Sequence, residues 1–158
     1  MTDSTGSPLK VYVAADHAGL ALKNSLVEHI RTLGHEVEDM GAFTQEPDDD
    51  YPDFVMPLSE IVAQENARGG GSNARGIVIG GSGQGEAMSA NRTRGIRCAV
   101  YYGGSPDIVR LSREHNDANV LSLGARFVTE EESIAAVNIF LDTSFPGDTR
   151  HVRRLAKF

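Results

Sequence analysis

The stretch Gly80-Gly81-Ser82-Gly83-Gln84-Gly85-Glu86 stands between an apolar run and a helical pattern. A glycine-rich turn in that setting aims several backbone N–H groups at one point, where the dipole of the following helix is positive. Nucleotide phosphate is the first ligand to test. The spacing excludes both common nucleotide loops. Counting from Gly81 puts Glu86 in the last glycine slot of Gly-x-Gly-x-x-Gly, and Gly80 to Gly85 is followed by Glu86 and Ala87, not by Lys and Ser/Thr. A carboxylate where the phosphate-binding lysine belongs repels phosphate. It suits a different reaction, in which Glu86 takes a proton from a carbon next to a carbonyl. The N–H groups of the loop, with the Ser82 hydroxyl, then hold the enolate oxygen. A general base contributes roughly 10²- to 10⁴-fold, and one oxyanion donor about 2.7–4 kcal/mol. A tight strand-to-helix turn with a glutamate in the first helical turn accounts for the same residues and stays open at this point.

Other polar residues fall near chain turns. Asp16 and His17 end an apolar run, where an N-capping aspartate and a surface histidine are the plain alternative. His115 closes a helical pattern behind Ile108 and Leu111, a place where the helix dipole favours a protonated imidazole. Arg150-His151-Val152-Arg153-Arg154 is the one basic cluster, and Arg126 follows another apolar run. Arginine suits bidentate phosphate recognition. The cluster is too small for nucleic acid and sufficient for one phosphate, although a solvated helix end explains it too. His29, His35 and His151 need no catalytic role on spacing grounds. Residues 46–50, Glu-Pro-Asp-Asp-Asp, lack calcium-loop spacing, and no His-x-x-x-His pair supports zinc. They read as a solvated loop, and no metal or cofactor is expected. Cys98 reads as an inert core thiol within a strand.

These residues need a scaffold that brings them to one edge. The chain has 158 residues, which is one ordinary domain. A net charge of −7 argues against nucleic acid and anionic membranes as partners. No apolar run reaches the ~20 residues of a membrane span. One cysteine excludes an internal disulfide, and a cytoplasmic location is expected. Residues 1–8 read as a flexible terminus and 9–158 as the domain, including a C-terminal helix. Val11 to Ala15, Val37, Ile77-Val78-Ile79, Ile96 to Tyr102 and Asn119 to Leu123 read as strands. Between them lie helical stripes: Leu22, Leu26, Ile30 and Leu33, closed by Gly34; and Val55, Leu58, Ile61 and Val62, opened by Pro52. Ser105-Pro106 reads as an N-cap with proline at the first helical position, and Thr129 with Glu132 as a capping box. Residues 66–76 read as a polar surface loop. The alternation predicts an α/β fold: one doubly wound, Rossmann-like, three-layer α/β/α domain with a five-stranded parallel sheet. Ligands bind at the carboxyl ends of such strands, where Asp16-His17, the 80–86 loop and Gly124-Ala125-Arg126 fall.

The motifs Ala15-Asp16-His17-Ala18-Gly19, Asp50-Tyr51-Pro52, Gly80 to Glu86, Ala90-Asn91, Gly95-Ile96-Arg97, Arg113-Glu114-His115-Asn116 and Arg150-His151 occur in that order. Together they resemble type B ribose-5-phosphate isomerase, from about Lys10 to Arg154. The resemblance implies a metal-independent aldose–ketose isomerase that interconverts ribose 5-phosphate and ribulose 5-phosphate. It implies a homodimer, or a tetramer, with active sites at the subunit interface. Glu86 would move the proton between C2 and C1, and Gly81, Ser82, Gly83, Gln84 and Gly85 would form the anion hole. His115, with Asp16 nearby, would assist ring opening. Tyr51 and Asn116 would contact the sugar, and His17, Arg126, Arg150 and Arg154 would bind or neighbour the phosphate. One branch of the family has cysteine as base at the position of Glu86; this sequence matches the glutamate branch. Isomerases of hexose 6-phosphates or tetrulose phosphates, and a non-catalytic phosphosugar- or nucleotide-sensing module, are the alternatives.

Overall fold

The computed structural model describes residues 6–69 and 73–158. Five strands form one parallel sheet: β1 (Lys10–Ala15), β2 (Glu36–Asp39), β3 (Ala74–Gly80), β4 (Cys98–Tyr101) and β5 (Val120–Gly124), in the order β2-β1-β3-β5-β4. Among the described residues six α-helices accompany them: α1 (Leu20–Thr32), α2 (Pro52–Ala67), α3 (Gln84–Ala90), α4 (Asp107–Asn116), α5 (Glu130–Asp142) and α6 (Thr149–Leu155). A single 3-10 turn, His17–Gly19, joins β1 to α1.

The central strands are apolar on both faces, and their two-residue period sorts them between two cores. Val11, Val13 and Ala15 of β1, Ile77 and Ile79 of β3, and Leu121 and Leu123 of β5 face α1, α4 and α5. Tyr12 and Ala14, Val78 and Val120 face α2 and α3, meeting Val55, Leu58 and Val62. Helices on both faces make the three-layer α/β/α fold expected from the sequence.

Several local signals act as the sequence predicts. Pro52 is the first residue of α2. Gly34 lies just past α1 with φ +85°. Thr129 and Glu132 form a reciprocal capping box at the start of α5. Leu26 and Ile30 are buried on the α1 stripe, whereas Leu33 at its end is exposed.

Three expected segments differ. The polar loop expected over 66–76 is shorter, because α2 runs to Ala67 and β3 begins at Ala74; residues 70–72 of that span lie outside the described residues. Ala74, Arg75 and Gly76 pair with Lys10, Val11 and Tyr12 of β1. The Asn66 amide brackets Ala74 by accepting from its N–H at 2.9 Å and donating to its C=O at 3.2 Å. A side chain at Gly76 would collide with Leu58, 2.7 Å from a Cβ there. Loop-like residue types thus serve a buried strand. The strand expected over Ile96 to Tyr102 contracts to β4. Its entrance is held instead by side chains, since Asn119 Oδ1 accepts from the Arg97 N–H at 2.8 Å and Asn91 Oδ1 from the Cys98 N–H at 2.8 Å. Helix α4 starts one residue later than expected, with Pro106 at the cap, although Ser105 Oγ still accepts from the Asp107 N–H at 3.3 Å. Of the terminal segment 1–8, residues 1–5 lie outside the described residues.

Candidate active site

Asp16-His17, Gly80 to Glu86 and Arg126 follow the carboxyl ends of β1, β3 and β5, which are neighbours in the sheet. The loops tie themselves together. The N–H groups of Ala125 and Arg126 donate to the carbonyls of Gly80 and Gly81 at 2.8 and 3.0 Å. Ser122 Oγ donates to the Gly83 carbonyl at 2.7 Å. The turn passes through Gly83 (φ +76°), and Ser82 Oγ accepts from the Gln84 N–H at 3.2 Å, which leaves its own O–H to donate. The N–H groups of Gly81 and Ser82 have no backbone partner among the described residues, whereas that of Gly83 is directed at the Glu86 carboxylate. The loop therefore presents spare donors.

Glu86 turns back over the start of this loop. A Cβ at Gly80 would lie 1.7 Å from Glu86 Oε1, so only glycine admits the carboxylate there. Glu86 is 4% exposed. Burial raises its pKa above the ordinary carboxylate value, and the charge of Asp16 adds to the rise, while backbone N–H groups of Glu86 and Gly83 oppose it. A carboxylate so tuned is a better proton acceptor than a solvated one.

Asp16 is itself buried and caps the 3-10 turn, accepting from the Ala18 N–H at 3.0 Å. It thus fulfils its capping reading while standing beside Glu86. His17 is engaged by a residue that the sequence placed in a solvated loop. Its Nδ1 lies 2.6 Å from Asp49 Oδ1, and its backbone N–H donates to the same carboxylate at 3.1 Å. Asp49 is largely shielded, so the solvated reading fails at this position. The Asp49 hydrogen bond raises the His17 pKa, against desolvation and the positive charge of Arg126. Asp16, His17 and Asp49 each bring one possible ligand atom within 4.8 Å of the others. A cation entering there would displace the His17–Asp49 hydrogen bond.

Tyr51 and Arg126 line the other sides. A Cβ at Gly85 would lie 2.6 Å from the Tyr51 hydroxyl, and one at Gly81 3.1 Å from an Arg126 terminal nitrogen. Gln84 points outward and is exposed.

The remaining candidates form a second group on α4 and α6. The His115 and His151 rings stack with centroids 4.4 Å apart and planes 16° apart. His151 is buried, and its Nε2 has no partner among the described residues. Desolvation, followed by the charges of His115, Arg150 and Arg154, lowers its pKa. Arg150, Arg154 and Asn116 are exposed. No hydrogen bond or ion pair among the described residues joins this group to the Glu86 group. Cys98 is the first residue of β4 rather than mid-strand, and burial with the nearby Glu86 charge pushes its thiol up to about 12. It stays protonated and inert, as its sequence context suggests.

Sequence reasoning missed Asp49 as the partner of His17, Gly80 as the seat of the Glu86 carboxylate, and His151 as the ring beneath His115. Only His151 carried a signal, its place inside the basic cluster.

Comparison with known proteins shows the family of the chain. A family model described as Ribose/Galactose Isomerase matches residues 11–158. Ribose-5-phosphate isomerase B of Mycobacterium leprae is 40% identical over 149 residues, covering 94% of this chain and 87% of the relative. The probable ribose-5-phosphate isomerase B of Mycoplasma pneumoniae is 40% identical over 147 residues, covering 93% and 91%. The crystal structure of ribose-5-phosphate isomerase B from Mycoplasma genitalium with bound ribulose 5-phosphate superposes with a TM-score of 0.87 at 38% identity, covering 96% of this chain and 95% of that one.

Proposed function

This chain belongs to the ribose/galactose isomerase family and is an isomerase; from that premise we propose that it interconverts ribose 5-phosphate and ribulose 5-phosphate through an enediolate, with Glu86 as base and no metal. The observation that carries the reading is the buried Glu86 carboxylate, raised in pKa, beside a loop with spare N–H donors. The base removes the proton from C2 of the open-chain aldose. Negative charge then grows on the carbonyl oxygen, where Gly81 to Gly85 and the Ser82 hydroxyl stabilise it. Glu86 returns the same proton to C1 while the proton of the C2 hydroxyl passes to O1, giving the ketose. The donors supply the stabilisation that a Lewis acid would otherwise provide.

His115 opens the furanose ring by proton transfer, with Asp16 assisting. Tyr51 and Asn116 hold the sugar hydroxyls. His17, Arg126, Arg150 and Arg154 take the phosphate, and the raised pKa of His17 keeps that imidazole cationic over more of the neutral range. These residues come from two groups that no hydrogen bond or ion pair joins among the described residues. The Glu86 group follows the carboxyl ends of the strands, whereas His115 and Asn116 close α4, which leads into the amino end of β5; that placement supports a site completed across a homodimer interface, one copy giving the Glu86 group and its partner the His115 group. The exposed apolar side chains of Met88, Tyr102, Ile108, Leu111 and Phe127 favour such pairing. No helix among the described residues is long and apolar enough to cross a membrane, and we place the reaction in the cytoplasm.

A coupled isomerase assay over phosphorylated four-, five- and six-carbon sugars, run with EDTA, tests the reading. Turnover is expected for ribose 5-phosphate and undiminished by chelation. Preference for a hexose 6-phosphate or tetrulose phosphate would reassign the substrate. Loss with EDTA and recovery with a divalent ion would overturn the metal-free chemistry. Binding without turnover would leave a phosphosugar-binding module.

A further inference from the structure

The opposite end of the sheet holds a second concentration of positive charge. Arg75 is the second residue of β3, Arg97 precedes β4, and Asp117 and Asn119 precede β5. With Asn66 and Asn73 they line a cleft of about 410 Å³ at the amino ends of the strands. Glu86 and the glycine loop lie at the carboxyl ends. From Arg75 to Gly80 along β3 is about 17 Å at the rise of a parallel strand.

The charges in this cleft do not balance. Arg75 is 9% exposed. One of its terminal nitrogens donates to Asn73 Oδ1 and to the Ala74 carbonyl, while its buried Nε has no partner among the described residues. Arg97 and the buried Arg113 both pair with Asp117, at 3.2 and 2.9 Å. Asp117 is the only carboxylate lining the cleft among the described residues. One carboxylate therefore faces three guanidinium groups in a protein whose net charge is −7. Desolvation and the charge of Arg113 lower the Arg75 pKa to about 10, so it still carries its proton at neutral pH. A buried cation without a counter-charge is costly.

The walls are already braced. Asn66 is spent on both backbone groups of Ala74, and Asn119 on the Arg97 N–H and the Gly95 carbonyl. Arg97 gives its Nε to the Asp117 carbonyl at 2.8 Å, one terminal nitrogen to the Gly95 carbonyl and the other to the Asp117 carboxylate, so the donors left over are the remaining terminal N–H groups of the Arg75 and Arg97 guanidinium groups. Guanidinium groups present paired N–H donors in the geometry that a phosphate oxygen pair accepts.

We propose that this cleft is a second anion site, which takes the phosphate group of a molecule other than the reacting sugar, held between Arg75 and Arg97. It is independent of the isomerase reading, since none of its residues belongs to the Glu86 or His115 groups.

The test follows backbone amide resonances of the whole protein while inorganic phosphate is added. Wild-type protein is expected to show saturable shifts at Asn73 to Arg75 and at Arg97 and Asn119, separate from those of the glycine loop. In Arg75→Leu the cleft shifts should need at least tenfold more phosphate, with the glycine-loop shifts unchanged. Arg75→Leu should also melt no lower than wild type without phosphate, because it removes an unbalanced buried charge. If that variant does not fold, Arg75→Gln carries the same comparison. Repeating the titration with glycerol 3-phosphate distinguishes sources: tighter binding at the cleft indicates a phosphate ester, equal or weaker binding the free anion. Cleft amides that stay still in wild type, or move identically in the variant, would overturn the site.

Discussion

The carboxylate of Glu86 rests against the α-carbon of Gly80, so closely that a methyl group on Gly80 would lie 1.7 Å from Glu86 Oε1. The last residue of β3 thereby sets the position of an acid six residues later on α3. Gly80→Ala should force the carboxylate out of its place while leaving the sheet paired. We expect kcat to fall by roughly 10²-fold, the scale of a small misplacement of a reacting group. Steady-state kinetics with a circular dichroism spectrum will show it; wild-type kcat in a folded variant would contradict the assigned geometry.

Glu86→Gln keeps size and helix but removes the base. It should lower kcat by at least roughly 10²-fold with little change in KM, because the lost interaction belongs to the transition state. Solvent-deuterium incorporation into the sugar is the direct readout. Exchange at the wild-type rate would remove Glu86 from the chemistry.

The same substitution carries a stability signature. The folded-state pKa of Glu86 is raised above its unfolded value. Ionisation therefore costs folding energy, and stability is lost as pH rises from the ordinary glutamate range through the raised value. Glu86→Gln should melt higher than wild type at neutral pH, and the gain should shrink at pH 4. Thermal unfolding at both pH values decides it.

His17 behaves oppositely with respect to charge. Its pKa is raised above 6.5 by the Asp49 hydrogen bond, so its protonated form is favoured, and the stability it contributes is complete below 6.5 and lost as pH climbs through the raised value. Asp49→Asn should return the imidazole toward its ordinary titration. Because protonated His17 faces the phosphate in our reading, KM should begin to climb at lower pH in Asp49→Asn. A His17 NMR titration alongside KM against pH checks both halves.

If each site is built from two copies, variants in the two groups should complement. Glu86→Gln and Arg154→Ala are each expected to be poor enzymes. Mixed and allowed to exchange subunits, they should recover activity above either parent, since some hybrids hold one intact site. Verified exchange without recovery would place both groups in one copy.

The scaffold was more legible than the site. Runs such as Val11-Tyr12-Val13, apolar at successive positions, imply a strand covered on both faces, and the capping box at Thr129 needs only its own turn. The entrance to β3 was hidden because Asn73, Ala74, Arg75 and Gly76 are loop-like residue types; their strand pairing depends on β1, over sixty residues earlier. Glu86 was identifiable from its place behind the glycines. Its burial was not, nor was the Asp49–His17 pair, because a charge separated from its partner by thirty-two positions leaves no periodic trace. The stacking of His115 on His151 likewise follows from how α6 returns to α4.

The sheet order also determines when the Glu86 group can exist. Its residues leave β1, β3 and β5, strands adjacent in space and separated in sequence by whole helices. No contiguous stretch of chain carries the assembly, so it comes into being only when these three strands have paired. The outer strand β4 stands apart from that requirement, whereas β2 leads into the connection that carries Asp49 and Tyr51. Fraying at the β4 margin leaves the base seated on Gly80, whereas opening the middle strand dismantles every part of it at once. The working lifetime of the chemistry is thereby tied to the most protected region of the molecule.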